Sequence, residues 1–133
     1  MSVATDFVAG HARAILITHR KDGGLQASPV RVLIDDDGVI VATTRAATAK
    51  VTNLERDSRF SLCVISDGWS GPWMTIEGTA KVHRLPEALD MLRAFYLQRD
   101  GSLPPADEFS ATMERERRVI LSFAVERTTP PPS

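Results

Sequence analysis

The stretch of sequence that decides the fold class is residues 73–83, which read Trp73-Met74-Thr75-Ile76-Glu77-Gly78-Thr79-Ala80-Lys81-Val82-His83. Apolar or small residues occupy every second position, and polar or aromatic residues occupy most of the positions between them. Because successive side chains of a β-strand point to opposite faces, this alternation predicts a long strand with one buried face. The chain is therefore expected to contain a β-sheet.

Five further segments have the composition of strands: residues 14–18, 25–34, 39–44, 60–65 and 119–125. Turn sequences at residues 21–24 and 36–38 separate the first three segments, which suggests an antiparallel meander. Pro29 lies inside the second segment and cannot donate a ladder hydrogen bond. That strand is therefore expected at a sheet edge or with a bulge near Pro29.

Apolar residues spaced as on one face of a helix indicate short helices within residues 47–57, 87–98 and 106–113. Thr5 or Asp6 could cap another over residues 5–11, so we expect two to four short helices. Few of the apolar residues of the chain lie on these helices, and most connections between strands are short. The pattern therefore predicts a mostly β (α+β) fold. We expect a six-stranded antiparallel barrel with short flanking helices rather than a doubly wound sheet.

Length and composition restrict the class of protein. The chain has 133 residues, of which 43% are hydrophobic and 25% charged, and these values are typical of a globular domain. We expect one domain over residues 1–127 and a proline-rich tail over residues 128–133. A net charge of −1, with only five Phe, two Trp and one Tyr, argues against a nucleic-acid partner, which would require a basic surface and stacking side chains.

The sequence does not group side chains into a metal site or a catalytic triad. The one cysteine, Cys63, lies in an apolar strand, which indicates an inert buried thiol, and His11, His19 and His83 are far apart. No basic N-terminal region precedes an apolar segment, and no apolar run approaches ~18 residues. We therefore expect no membrane span and a cytoplasmic protein. The charged run Glu114–Arg118 is most simply a solvent-exposed helix end.

Residues 43–50 have the chemistry of a phosphate site. They read Thr43-Thr44-Arg45-Ala46-Ala47-Thr48-Ala49-Lys50 and pass from the end of a strand into the start of a helix. Backbone N–H groups at a helix N-terminus attract anions, and the hydroxyls, Arg45 and Lys50 add further donors. A capped, solvent-exposed helix start explains the same residues, so the residues alone leave both interpretations open.

Four stretches of the chain carry an ordered set of motifs. Residues 49–59 match the pattern A-K-x-x-N-L-x-R-D-P-R, with serine in place of proline at position 58. Asp67–Ser70 and Glu77–Ala80 contain D-G-W and E-G-x-A, a helix follows over Ala88–Tyr96, and Glu116–Leu121 contains R-R-V-x-L. Together, and in this order over nearly the whole chain, these stretches resemble the small split-barrel flavin and deazaflavin oxidoreductases related to pyridoxamine 5′-phosphate oxidase.

The resemblance implies a split β-barrel that works as a homodimer with two cofactor sites at the subunit interface. It places the cofactor phosphate against residues 43–50, with Lys50 as the phosphate-contacting lysine, and the ring system against the second strand. The loop from Trp69 to Trp73 of the partner subunit would close the pocket. The residues assigned to the cofactor in this way are Ser28, Pro29, Val30, Thr43, Thr44, Arg45, Ala49, Lys50, Asn53, Trp69 and Trp73.

The same resemblance implies an oxidoreductase whose coenzyme carries the reaction, so no catalytic side chain is assigned. The motifs are most similar to the branch that uses the deazaflavin coenzyme F-420. In that branch a hydride would pass from the reduced ring to a small unsaturated or conjugated organic substrate. An FMN-dependent oxidoreductase is the first alternative, and a non-catalytic module that binds a flavin or haem-like ligand is the second.

Overall fold

The structure, a computed structural model, describes residues 2–68 and 70–130. Within these residues the four helices are α1 (Val3–Gly10), α2 (Ala49–Arg56), α3 (Leu89–Asp100) and α4 (Ala106–Glu116). The seven strands are β1 (Arg13–His19), β2 (Leu25–Arg31), β3 (Leu33–Ile34), β4 (Ile40–Arg45), β5 (Arg59–Ile65), β6 (Trp73–His83) and β7 (Arg118–Thr129). Residues 131–133 of the predicted tail lie outside the described residues. None of the four helices has the length and hydropathy that crossing a bilayer requires.

All seven strands form one antiparallel sheet in the order β2-β1-β5-β6-β7-β4-β3. The sheet is curled into a half-barrel, because β2 and β3 lie at its opposite edges and yet are separated by Val32 alone. The mostly β, α+β class is therefore confirmed. Pro29 lies on the edge strand β2, as the sequence predicted.

The predicted number of six strands is wrong, because the strand expected over residues 25–34 is divided at Val32. Val32 is completely buried, and its N–H donates a hydrogen bond of 2.8 Å to the carbonyl oxygen of Ala12. The chain therefore stops pairing with β1 at this residue and continues beside β4, where Leu33 pairs with Val41. One extended segment thus belongs to both edges of the sheet.

The main core fills the inner face of the sheet. Leu16, Leu62 and Ile76 come from three neighbouring strands and are completely buried there. The helices α1 and α2 pack against the same face, and α2 contributes Val51 and Leu54. On β6 the predicted alternation is present, with its apolar residues on this inner face.

A smaller core lies on the opposite face of β4 and β7. Val41 and Ile120 point outward from these strands and pack under α3 and α4, which contribute Leu92, Phe95 and Phe109. Helices therefore cover one half of the outer surface of the sheet.

The other half of the outer surface, formed by β1, β2, β5 and the start of β6, carries apolar side chains that belong to neither core. Ile15, Cys63 and Ile65 are half-buried, and Leu25 and Trp73 are 58% and 50% exposed. Cys63, which was expected to be buried, is thus partly accessible in the single chain. We call this surface the uncovered sheet face.

Candidate functional site

Lys50 and Ser28 are brought together by the packing of α2 against the inner side of β2. The Lys50 ammonium nitrogen donates to the Ser28 hydroxyl oxygen at 3.4 Å, although 22 residues separate them in the chain. Lys50 is half-buried, and burial lowers the pKa of its ammonium group because loss of water disfavours the charged form. No carboxylate lies within ion-pair distance of Lys50 among the described residues. The site therefore holds a partly desolvated cation whose charge is not balanced.

The N-terminus of α2 adds backbone donors beside this cation. Thr48 is the N-cap residue, but its side chain makes no capping hydrogen bond and instead donates to the carbonyl oxygen of Arg45 at 3.0 Å. The first N–H groups of a helix have no partner within the helix, and they form a site for an anion when no side chain caps them. Ala49, the first residue of α2, is exposed. The capped-helix interpretation of this segment therefore loses its main support.

The preceding strand residues have partners of their own. Thr43 donates its hydroxyl to the carbonyl oxygen of Val119 at 2.8 Å, and Thr44 is buried. Arg45 is exposed, and its guanidinium lies 3.7 Å from a carboxylate oxygen of Glu116. The structure thus joins Lys50 to Ser28, whereas Arg45 lies toward the end of α4. Whether Thr43, Thr44 and Arg45 contact a cofactor stays a prediction.

Asn53 links α2 to β1. Its amide nitrogen donates to the hydroxyl of the completely buried Thr18 at 3.1 Å, and its amide oxygen accepts from the Arg56 guanidinium at 3.0 Å. The same guanidinium nitrogen donates to the carbonyl oxygen of His19 at 2.7 Å. These contacts give Asn53 a positioning role, and its predicted contact with a cofactor remains a prediction.

Two tryptophans, Trp69 and Trp73, are predicted to close the pocket. Trp69 lies outside the described residues. Trp73 begins β6 on the outer side of the sheet, opposite Ile65, whereas Ser28 lies on the inner side opposite Leu16. Since β6 is three strands from β2, about 14 Å at ordinary strand spacing, Trp73 does not meet Ser28 and Lys50 of its own chain.

Gln26 is a candidate that the sequence analysis missed. It lies on the same side of β2 as Ser28 and Val30, opposite Thr18. Its amide oxygen is buried and has no hydrogen-bond partner among the described residues. An unpaired buried acceptor is destabilising by about 1–3 kcal/mol, so this atom is suited to a donor from a ligand. The period of two that places Gln26 and Ser28 on one face was the signal that could have identified it.

The region around Lys50 and Ser28 is open in a single chain. Four cavities in the described part of the chain have volumes of about 260 to 670 Å³, and none of these four is lined by Lys50 or Ser28. The largest of them lies between α1 and the strands β4, β6 and β7. The donors at Lys50 and Ser28 therefore lie on an open surface and not in one of these cavities.

The chain is similar in sequence and in fold to known proteins. The sequence profile described as pyridoxamine 5′-phosphate oxidase matches residues 3–129. A comparison with curated proteins gave no match. Similar solved structures include the conserved hypothetical protein Rv2991 from Mycobacterium tuberculosis, which is 26% identical, with a TM-score of 0.75 over 96% of this chain and 82% of that one.

Two further structures share the fold at lower sequence identity. An F-420 reductase is 20% identical, with a TM-score of 0.68 over 97% of this chain and 98% of that one. A heme binding protein from Mycobacterium smegmatis is 19% identical, with a TM-score of 0.66 over 96% of this chain and 53% of that one. The chain thus spans about half the length of the heme binding protein.

Proposed function

Since the chain belongs to the pyridoxamine 5′-phosphate oxidase family, we propose that it is an oxidoreductase that binds the deazaflavin coenzyme F-420 and reduces a small unsaturated or conjugated organic molecule. The observation that carries the proposal is the half-buried Lys50 ammonium, which has a hydroxyl partner but no carboxylate partner among the described residues. A buried charge without a counter-ion is unfavourable. An anionic ligand group would remove this penalty.

The phosphate group of the coenzyme matches the donors at this position. Lys50 supplies a charged donor, and the uncapped first turn of α2 supplies backbone N–H groups beside it. Charge-assisted hydrogen bonds of this kind are about twice as strong as neutral ones. Lys50 and α2 therefore bind the phosphate and fix one end of the cofactor.

The ring system of a flavin or deazaflavin also fits the residues on β2. The pyrimidine half of such a ring carries an N–H group between two carbonyl groups. Gln26 offers a buried acceptor without a partner for that N–H, and Ser28 lies two residues further along the same face. Gln26 and Ser28 therefore orient the ring, and Val30 on the same face of β2 supplies apolar contact. Pro29 points to the other face of the strand, where it lies opposite Ile15. The residues present fit the cofactor.

The reaction itself requires little from the side chains. When it is bound and reduced, the coenzyme supplies a hydride to an electrophilic carbon of the substrate. Ser28 accepts a hydrogen bond from Lys50, so its own hydroxyl proton is available for donation toward a bound molecule. The protein otherwise binds, orients and excludes water.

A homodimer completes the site in this proposal. Trp73 begins a strand three strands away from β2 and lies on the opposite side of the sheet from Ser28, so its predicted role in closing the pocket needs a second copy. The uncovered sheet face carries Trp73 and offers an apolar surface for that copy. FMN is the alternative cofactor, because its phosphate would use the same donors. A non-catalytic module for a flavin or haem-like ligand is the second alternative.

Titration of the purified protein with the deazaflavin coenzyme, with FMN and with haem, followed by fluorescence or absorbance, tests the proposal. We expect the deazaflavin to bind at micromolar concentration or tighter, and its reduced form to be reoxidised when a conjugated substrate is added. Replacement of Lys50→Ala should weaken binding by about 1.5–3 kcal/mol, roughly 10- to 150-fold, because it removes a charge-assisted contact.

The control variant is Lys21→Ala, which removes an exposed lysine from the turn between β1 and β2 and should leave affinity unchanged. Failure of the deazaflavin to bind would refute the proposed cofactor, and tight FMN binding in the same titration would replace it with the alternative. Tight binding without any substrate-dependent reoxidation would favour the non-catalytic module. Equal affinities of wild type and Lys50→Ala would show that Lys50 does not contact the phosphate.

A further inference from the structure

Arg117 adopts a backbone conformation that an arginine rarely adopts. It lies between α4 and β7 with φ 53° and ψ 50°, and it is the only non-glycine residue with positive φ among residues 2–68 and 70–130. Glycine is the usual residue at this position after a helix, because a Cβ atom makes the left-handed conformation unfavourable. Such strain is concentrated at functional sites.

The backbone of Arg117 is held in place from both sides. Its N–H donates to the carbonyl oxygen of Glu114 at 3.1 Å, and its own carbonyl oxygen accepts from the N–H of Ala46 at 2.8 Å. These contacts use backbone atoms alone, so glycine would preserve them and relieve the strain. The side chain of Arg117 therefore contributes nothing to these contacts, and its presence at a position suited to glycine calls for another explanation.

Arg117 is one of the residues that line a cavity of about 260 Å³, and the others are Ala46, Arg84, Leu85, Glu114, Arg118 and Val119. Two of the three arginines have carboxylate partners. Arg84 binds Glu55 with two hydrogen bonds of 2.6 and 2.9 Å, and Arg118 donates to Glu116 at 2.8 Å. Arg117 is exposed and has no carboxylate within ion-pair distance among the described residues. The paired arginines are fixed in position, and Arg117 remains available.

We infer that this cavity is an anion-binding site in which Arg117 contacts a carboxylate or phosphate group. The guanidinium group matches the geometry of both anions with two parallel hydrogen bonds. Ala46 lies in the cavity wall and precedes Lys50 by four residues, so their Cα atoms are at most about 14 Å apart. The anionic group is either a second charged group of the ligand held at Lys50 or a separate small anion.

Thermal unfolding in the presence of inorganic phosphate or citrate, at constant ionic strength set with sodium chloride, tests the site without any cofactor. A ligand that binds the folded protein raises the melting temperature. We expect both anions to stabilise the wild type, Arg117→Gly to weaken their apparent affinity at least fivefold, and Arg117→Lys to keep most of it. Arg115→Ala removes a nearby exposed arginine and serves as the control for net charge.

The variant Arg117→Gly also tests the strain argument, because without anions it should melt at the same temperature as the wild type or above it. Titration of this variant with the deazaflavin coenzyme then distinguishes the two sources. A fivefold or larger loss of coenzyme affinity assigns the anion to the ligand at Lys50, and an unchanged affinity assigns it to a separate molecule.

The inference is overturned if Arg117→Gly responds to phosphate and citrate as the wild type does, or if Arg115→Ala loses the response equally. A lower melting temperature of Arg117→Gly would also contradict it, since the arginine would then be structural. The anion titration decides the question even if no flavin or deazaflavin binds, so it does not depend on the proposed function.

Discussion

At the scale of single residues, Lys50 shows how a motif position acquires a physical role. The sequence placed Lys50 in a segment suited to phosphate but left a solvent-exposed helix start equally open. The structure adds that the ammonium is half-buried, lies 3.4 Å from the Ser28 hydroxyl and has a lowered pKa. Burial of this kind depends on the packing of α2 against β2, which the local sequence does not contain.

The lowered pKa of Lys50 predicts how binding depends on pH. Only the protonated ammonium attracts an anion, and the pKa in the free protein lies below the ordinary 10.5. Affinity should therefore be constant below that lowered pKa and fall as the pH rises through it. The variant Lys50→Arg keeps its charge at all these pH values, so its affinity should not fall for this reason.

Dissociation constants measured from pH 7 to 10.5 at fixed ionic strength, for the wild type and Lys50→Arg in parallel, check this prediction. The comparison of the two proteins removes the effect of any titration of the ligand itself. Parallel curves for the two proteins would mean that the Lys50 charge does not contribute to binding.

Gln26 and Asn53 show what sequence reasoning at this scale leaves open. Gln26 is a polar residue on a half-exposed strand, and such residues are common and carry no local signal. The amide oxygen of Gln26 is buried without a hydrogen-bond partner because of how the neighbouring elements pack around it, and the local sequence does not contain that packing. Asn53 belongs to the same motif as Lys50 and is predicted to contact the cofactor. Its amide binds Thr18 and Arg56, and the contact with the cofactor stays a prediction. That a residue belongs to the motif does not tell whether it contacts the cofactor or positions other residues.

At the scale of elements, strand alternation identified the sheet but not its division. The inward and outward positions of β6 could be read directly, because the period of two persists along the whole strand. The alternation of residues 25–34 shows no break at Val32, because the residues before and after it follow the same period of two. The break results from pairing with β1 on one side and with β4 on the other, and these are contacts between distant parts of the chain.

The glycine of the E-G-x-A motif also has its explanation at this scale. A register shift occurs between Glu77 and Gly78 where β6 pairs with β7. A Cβ atom at Gly78 would overlap the carbonyl oxygen of Ala124. The glycine therefore permits the close approach of two strands at the bulge, and a functional role is not needed to explain it.

The link between α2 and β1 gives a prediction at the same scale. The variant Asn53→Ala leaves the completely buried Thr18 hydroxyl without its partner, so the free energy of unfolding should fall by about 1–3 kcal/mol. Urea unfolding measures the change. Thr52→Ala, on the exposed side of the same helix, is the matched control and should change stability by less than about 0.5 kcal/mol.

The affinity of folded Asn53→Ala for the coenzyme separates the two roles of Asn53. A supporting role predicts a large loss of stability and a small change in affinity. A loss of affinity comparable with that of Lys50→Ala, with unchanged stability, would instead support Asn53 as a cofactor contact.

At the scale of the whole molecule, helices cover one half of the outer surface of the sheet and leave the other half uncovered. The helices α3 and α4 cover β4 and β7, whereas the uncovered sheet face leaves Ile15, Cys63 and Ile65 half-buried and Trp73 half-exposed. Large apolar surfaces of this kind mark interaction sites. The region around Lys50 is also open in a single chain, as expected if the proposed second copy supplies its missing wall.

We therefore expect a homodimer formed through the uncovered sheet face, and light scattering after size exclusion should give twice the chain mass of 14.6 kDa. The variant Ile15→Glu places a charge in the middle of this face and should yield a monomer with weakened coenzyme binding, because the partner's Trp73 is lost from the pocket. The control Leu97→Glu changes an equally apolar, 49% exposed side chain on α3 and should remain dimeric.

The Cys63 thiol supplies an independent readout of the same interface. Dimer formation should slow its labelling by a maleimide, and Ile15→Glu should restore fast labelling. A wild-type monomer at micromolar concentration, or a dimer of Ile15→Glu with protected Cys63, would place the interface elsewhere.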